Sequence, residues 1–129
     1  MWTVVRVPAT DELRSLLDQW RKAIGDHRPA EVASLFAEDA VFQGLRPFTI
    51  GREGVAAYYA AQPEGMTVAY EILETRDLGP DAVLGWVTAD FDFTRAVPGR
   101  APIALNLTVV ARRTDEGWRL AHYHVSPRP

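Results

Sequence analysis

Two imidazoles stand two residues apart near the end of the chain, in the run Trp118-Arg119-Leu120-Ala121-His122-Tyr123-His124-Val125. On an extended strand that spacing puts His122 and His124 on one face, together with Trp118 and Leu120. Imidazole titrates near neutrality and is the commonest carrier of a proton in general acid–base catalysis. The pair therefore reads as an acid/base or donor pair on the floor of a pocket; the alternative is that one ring bonds a neighbour within the sheet. As metal ligands two histidines fall short, because a zinc site takes at least three protein ligands. A third would have to come from Asp90 or Asp92, and no HExxH spacing occurs. No metal is expected.

Asp90 and Asp92 lie in an apolar run, Val87-Thr88-Ala89-Asp90-Phe91-Asp92-Phe93, on the face of Trp86 and Thr88. A buried carboxylate is costly unless paired, so they either reach solvent at a barrel rim or are held for chemistry. Asp92 reads as a rim residue facing Arg95 or Arg112; Asp90 joins the histidines as a candidate base. Asn106 and Thr108 are polar positions between apolar neighbours, suited to holding a ligand carbonyl or hydroxyl or to cross-strand hydrogen bonds. Gln43 is a similar case. Trp20, Phe48, Tyr58 and Trp86 complete the expected ligand-binding set, as aromatic wall or as plain core. Tyr58 and Tyr59 are about a hundred degrees apart on a helix, so at most one points squarely inward.

Composition narrows what these groups can serve. The chain has 129 residues, 47% hydrophobic, with 14 basic and 17 acidic side chains and a net charge of −3. That is one domain's worth of chain with enough apolar content for a core. No basic stripe suggests nucleic acid. The absence of cysteine excludes disulfides, thiolate catalysis and Cys-ligated zinc. Neither a secretory leader nor an apolar stretch of membrane-spanning length is evident, and a cytoplasmic location is expected. No GxGxxG after a strand, P-loop lysine or GxSxG elbow occurs, so no cofactor is expected.

The elements that must position these residues are an α+β set. Thr10 suits an N-cap, and Leu13, Leu16, Leu17, Trp20 and Ile24 form one helical stripe, closed by Gly25. Pro29 opens a short second helix. Ala40–Gln43 reads as a strand and Pro47–Ile50 as an extended piece. A third helix runs from Arg52 to about Gln62. Period-two patterning then predicts strands at Met66–Leu78, Ala82–Thr94, Ile103–Arg113 and Trp118–Val125, joined as an antiparallel meander. A single domain over residues 1–129 is expected, with 1–9 as an arm or short strand and 127–129 loose. Several strands are apolar on both faces, which calls for helices on the concave side and a second cover on the convex side. A homodimer through the convex face is the expectation.

Sequence detail adds a resemblance. Ala33-Ser34-Leu35-Phe36-Ala37-Glu38-Asp39-Ala40-Val41-Phe42 and Gly117-Trp118-Arg119-Leu120-Ala121-His122-Tyr123-His124-Val125-Ser126 are similar to the helix–strand junction and final strand of the nuclear transport factor 2-like, SnoaL-like superfamily. Asp39–Pro47, Gly51-Arg52 and Tyr58-Tyr59 resemble its SgcJ-EcaC branch, found in bacterial secondary metabolism and loosely labelled oxidoreductase. The resemblance spans about Leu13 to Ser126. It implies a cone-shaped, cystatin-like fold, a curved antiparallel sheet wrapped on three helices. Ketosteroid isomerases in the superfamily use a Tyr and an Asp where this chain has Trp20 and Gly44, so their mechanism is not implied. Scytalone dehydratase combines Tyr and His residues in its pocket. The expected function is a cofactor-free isomerase, cyclase or dehydratase acting on a polyketide-like or aromatic intermediate, through His122, His124 or Asp90. The alternative is a carrier for a hydrophobic metabolite.

Overall fold

The apolar stripe of the first helical segment becomes the buried face of α1 (Ala9–Gly25), with Leu13, Leu17 and Trp20 fully covered. The structure is a computed structural model and describes residues 7–129. The remaining elements are α2 (Pro29–Ser34), β1 (Phe36–Gln43), β2 (Phe48–Ile50), α3 (Arg52–Ala60), β3 (Thr67–Asp77), β4 (Ala82–Asp92), β5 (Ile103–Thr114) and β6 (Gly117–Pro127). The strands form one curved, unclosed six-stranded sheet in the order β2-β1-β6-β5-β4-β3. All neighbours are antiparallel except β1 and β6, which run parallel. The meander of β3 to β6 agrees with the expectation; the β1–β6 pair is what lets the first strand close against the last.

Helices cover the concave face, where Val83, Val87, Ala89 and Phe91 of β4 and Leu105, Leu107, Val109 and Ala111 of β5 are buried. α1 packs on β3, β4 and β6. Its approach to β4 depends on Gly85, where a Cβ would stand 2.6 Å from Leu13 Cδ2. Gly51 sits at φ 95°, a left-handed conformation that favours glycine, and its N–H bonds Ala40 O at 2.8 Å, turning the chain into α3.

Several boundaries differ from the sequence reading. Most of the expected N-terminal arm or strand, residues 1–6, lies outside the described residues. Ala9 already belongs to α1, and Thr10 does not cap it: its Oγ1 lies 2.9 Å from Thr75 Oγ1 on β3. β1 begins at Phe36, ahead of Ala40, because Phe36 pairs with Leu120 and Leu120 N–H bonds Leu35 O at 2.8 Å. At the other end β6 continues through Pro127, which pairs with Leu105, and Arg128 N–H bonds Ala104 O at 3.0 Å. A proline at the end of a strand costs little ladder pairing.

The largest difference is in β6. Its register with β5 passes from Ala111↔Leu120 to Val110↔His122, so Ala121 is an extra residue, a β-bulge. Strict alternation is broken there. Trp118 and Leu120 point into the core with Tyr123 and Val125, while His122 and His124 point the other way.

Candidate ligand cavity

The core does not fill the whole concave face. Trp20, Phe36, Phe42 and Tyr59 pack its middle, the Trp20 Nε1–H donating to the Tyr59 hydroxyl at 3.1 Å and Phe42 stacking on Tyr123 with ring centroids 4.6 Å apart. α3 ends at Ala60, and Pro63 and Gly65 prevent its continuation. Where the helix stops, a cavity of about 210 Å³ opens between α3, the β1–β2 loop and the ends of β4, β5 and β6. Its floor is Phe91, Leu105, Tyr123 and Val125; its walls are Tyr58, Gln62, Met66, Phe93 and Ile103; Gly44, Leu45, Arg46, Pro47 and Arg100 form the mouth.

The polar side chains in this lining are Arg46, Arg100, Gln62, Tyr58 and Tyr123, none of them an acid. Burial raises the Tyr58 hydroxyl above its ordinary pKa. Tyr123 is raised further, by burial first and then by the neighbouring Tyr59. Both stay protonated at neutral pH. The Tyr58 hydroxyl has no partner among the described residues, and the Gln62 side-chain amide reaches only the Tyr58 carbonyl, at 3.4 Å. Trp20, expected as a ligand donor, is fully buried and has given its N–H to Tyr59. The described lining contains no carboxylate and no imidazole, and residues 1–6, Met-Trp-Thr-Val-Val-Arg, could supply neither.

Of the residues singled out by sequence, Tyr58 alone lines the cavity. The others, Trp20 apart, are brought together on the opposite, convex face. Phe48, Gln43, His124, Thr108 and Trp86 pair in one row across β2, β1, β6, β5 and β4, and Ile50, Val41, His122, Val110 and Leu84 form the adjoining row. The two imidazoles are 6.1 Å apart between ring centroids. The His122 pKa is lowered, by partial burial first and then by His124. Asn106 is exposed between Thr88 and Ser126. Asp90 is on this face as well, hydrogen-bonded to Arg128, while Asp92 pairs with neither Arg95 nor Arg112 among the described residues: its Oδ1 accepts from the Thr94 N–H at 2.7 Å, and Arg112 bonds Asp39. Among the described residues no group of three or more His, Asp or Glu side chains could hold a metal ion, and no helix is long and apolar enough to cross a membrane.

The family model of the SnoaL-like domain matches residues 13–129. The chain belongs to the SnoaL-like domain family. A comparison with curated proteins gives no match. Solved structures share the fold of this SnoaL-like domain at low identity. An NTF2-like protein with a cystatin-like fold from Novosphingobium aromaticivorans superposes with a TM-score of 0.79 at 18% identity, covering 92% of this chain and 80% of that one. A ketosteroid isomerase-like protein from Erwinia carotovora atroseptica SCRI1043 gives 0.74 at 21%, covering 90% and 93%. A scytalone dehydratase candidate from Novosphingobium aromaticivorans DSM 12444 gives 0.76 at 13%, covering 94% and 85%. The nuclear transport factor 2-like fold expected from the sequence is the fold observed.

The cavity residues that sequence reading passed over include Tyr123, Gln62, Arg46 and Arg100. Tyr123 carried the one available signal: it sits between the histidines and therefore faces opposite to them.

Proposed function

We propose that this SnoaL-like domain binds a small, flat, largely apolar or aromatic molecule in the cavity, with an acceptor oxygen of the ligand meeting the hydroxyl of Tyr58. The single observation that carries the reading is an apolar hollow with a phenol, Tyr58, left without a partner on its wall. Its size supports one ring in the enclosed part. About 210 Å³ exceeds the roughly 150 Å³ that admits benzene and falls below the ~300 Å³ at which drug-sized sites begin.

Relatives named for ketosteroid isomerase and scytalone dehydratase support a pocket of the isomerase or dehydratase type, and protonated phenols can polarise a carbonyl. Proton abstraction also needs a base within reach, and the lining offers none. Binding without turnover is therefore the favoured form of the proposal. His122, His124 and Asp90 have no place in it as catalysts, because the bulge at Ala121 and the pleat of β4 direct them away from the cavity.

The test is a thermal-shift and titration screen of single-ring aromatic compounds. Tyr58→Phe should weaken the best binder about 2- to 10-fold, the value of one neutral hydrogen bond of ~0.5–1.5 kcal/mol, with the melting temperature nearly unchanged. Val125→Phe should abolish binding by filling the floor. Binding that survives Val125→Phe would place the ligand elsewhere and end the proposal.

The convex face supports a second copy of the chain as its cover. Phe48 is 61% exposed, Ile50 64% and Trp86 38%, and the same two rows include half-buried Val41, Val110 and Leu84. The face is mixed, with Gln43, His122, His124 and Thr108 between these apolar side chains, a composition that subunit interfaces share. Light scattering should give a dimer, and Trp86→Arg, a charge placed on the β4 side of that face, should give a folded monomer. A wild-type monomer at micromolar concentration would refute this assignment.

A further inference from the structure

We infer that the ligand carries a carboxylate, held at the cavity mouth by Arg100 and Arg46; the inference rests on the ligand-binding reading above and names the class of molecule that fits it. Both arginines line the cavity. Neither pairs with a carboxylate among the described residues, a state they share with Arg14, Arg21, Arg95 and Arg119, none of which lines this cavity. The chain is acidic overall, at −3, so two unneutralised guanidinium groups at the mouth of a hollow without any acid are a local reversal of charge.

Arg100 is also positioned. Its Cζ lies 3.8 Å from the centroid of the Phe93 ring, over its face. The guanidinium makes no side-chain hydrogen bond among the described residues, so its N–H edge is free, the edge that matches a planar carboxylate. Phe93 is itself a wall of the cavity, so this edge is presented at the hollow's rim. Arg46 enters from the β1–β2 loop on the other side, beside Pro47. The interior beyond is apolar apart from the Tyr58 hydroxyl, the Gln62 amide and Tyr123, whose hydroxyl is bonded to Tyr59. An anion seated deep among Phe91, Leu105 and Val125 would pay desolvation without a cation to repay it. The arrangement that satisfies every group puts the acid outward between the arginines and the ring or apolar body inward. A distal hydroxyl or carbonyl would then reach the Tyr58 phenol. The class is a small aryl or arylalkenyl monocarboxylic acid.

The experiment is calorimetric titration of the full chain with matched pairs: benzoate, cinnamate and para-hydroxybenzoate, each against its primary amide, at low and high salt. The acid should bind at least tenfold more tightly than its amide, and tenfold is ~1.4 kcal/mol. Raising the salt should narrow that ratio. Arg100→Gln should weaken the acid about tenfold and the amide less than twofold. Arg100→Lys should fall between wild type and Arg100→Gln, because a point charge keeps the attraction and loses the fork. Arg46→Gln should have a smaller effect of the same sign. Arg76→Gln, which breaks an exposed pair with Glu74, is the charge control and should leave the ratio unchanged. Acid and amide binding equally, with Arg100→Gln indifferent to both, would overturn the carboxylate while leaving the pocket reading intact. Neither acid nor amide binding, for any pair, would overturn the pocket reading and this inference with it.

Discussion

Adding one methylene at Val125 should stabilise the protein, and adding the same methylene at Val109 should destabilise it. Both valines are buried on the concave face, at 7% and 0% exposure, and both sit on strands where a β-branched residue is favoured. Replacement by isoleucine keeps that branching and changes only volume. Val125 lines the cavity of about 210 Å³, so its new methyl group enters empty space and loses contact with water. One buried methylene contributes about 0.8 kcal/mol, equivalent to a rise of about 3 °C in melting temperature for a domain of this size. Val109 has no such space. Its Cγ2 is 3.3 Å from where a Cβ on Gly85 would stand, and Leu13 Cδ2 is 2.6 Å from the same point. Overpacking a site of that kind costs ~1–3 kcal/mol, a fall of several degrees.

The assay is differential scanning calorimetry on the two variants, checked by urea unfolding so that an unchanged m-value confirms a change in stability alone. The opposite signs of the two changes, and not either magnitude, distinguish a hollow from solid packing. Were Val125→Ile to lower stability as Val109→Ile does, the floor of the cavity would be solid packing. The ligand-binding proposal and the carboxylate inference would then both lose their foundation.

Two further outcomes follow from the same packing. Gly85→Ala should cost ~1–3 kcal/mol in urea unfolding, because its Cβ meets Leu13 and Val109 and either α1 or β4 must shift; a neutral result would mean that α1 does not sit as described. Stability should also fall in mild acid through His122. Its folded-state pKa is depressed, by burial first and then by His124, so the unfolded chain binds the proton more tightly. The contribution is fully present above the unfolded value of about 6.5 and is lost as pH drops through the lower folded value. His122→Gln should flatten that part of a stability–pH curve measured from pH 8 to 5, and an unchanged slope would remove His122 as its source.

The fold was largely readable from sequence because its signals are local and repeated. The stripe from Leu13 to Ile24 can only be one face of a helix, and four long alternating runs joined by short turns can only pair in order. The site was less readable, for a physical reason. His124, Asn106, Thr108, Gln43 and Asp90 attracted notice as polar residues inside apolar strands. A polar residue on a strand with one face in a core points to the other face unless it is paired, so selecting for polarity selected the convex side. The cavity is built instead from side chains that look like ordinary core, Phe91, Leu105, Tyr123 and Val125, and from two loop arginines. Only the end of α3 at Ala60, with nothing among the described residues behind it to fill the space, separates hollow from core there, and no local pattern reports that.

The bulge at Ala121 shows how burial decides such a case. With strict alternation through β6, Trp118 and Leu120 would share a face with His122 and His124, and Tyr123 and Val125 would share the other with Arg119. Neither face would be apolar throughout, and choosing either as the inner one would bury two imidazoles or a guanidinium. One extra residue between Leu120 and His122 joins Trp118, Leu120, Tyr123 and Val125 into a single apolar face. Each large apolar side chain so buried contributes ~1.5–3 kcal/mol, and the desolvation of two imidazoles is avoided. Both gains outweigh the one interrupted step of ladder pairing that a bulge costs. The composition of the strand therefore favours the bulge over the regular register, and the bulge in turn assigns the chemistry: it delivers the Tyr123 phenol to the cavity and both imidazoles to the convex face. What the domain can do with a ligand follows from donors and arginines because a single alanine excluded its only paired histidines from the interior.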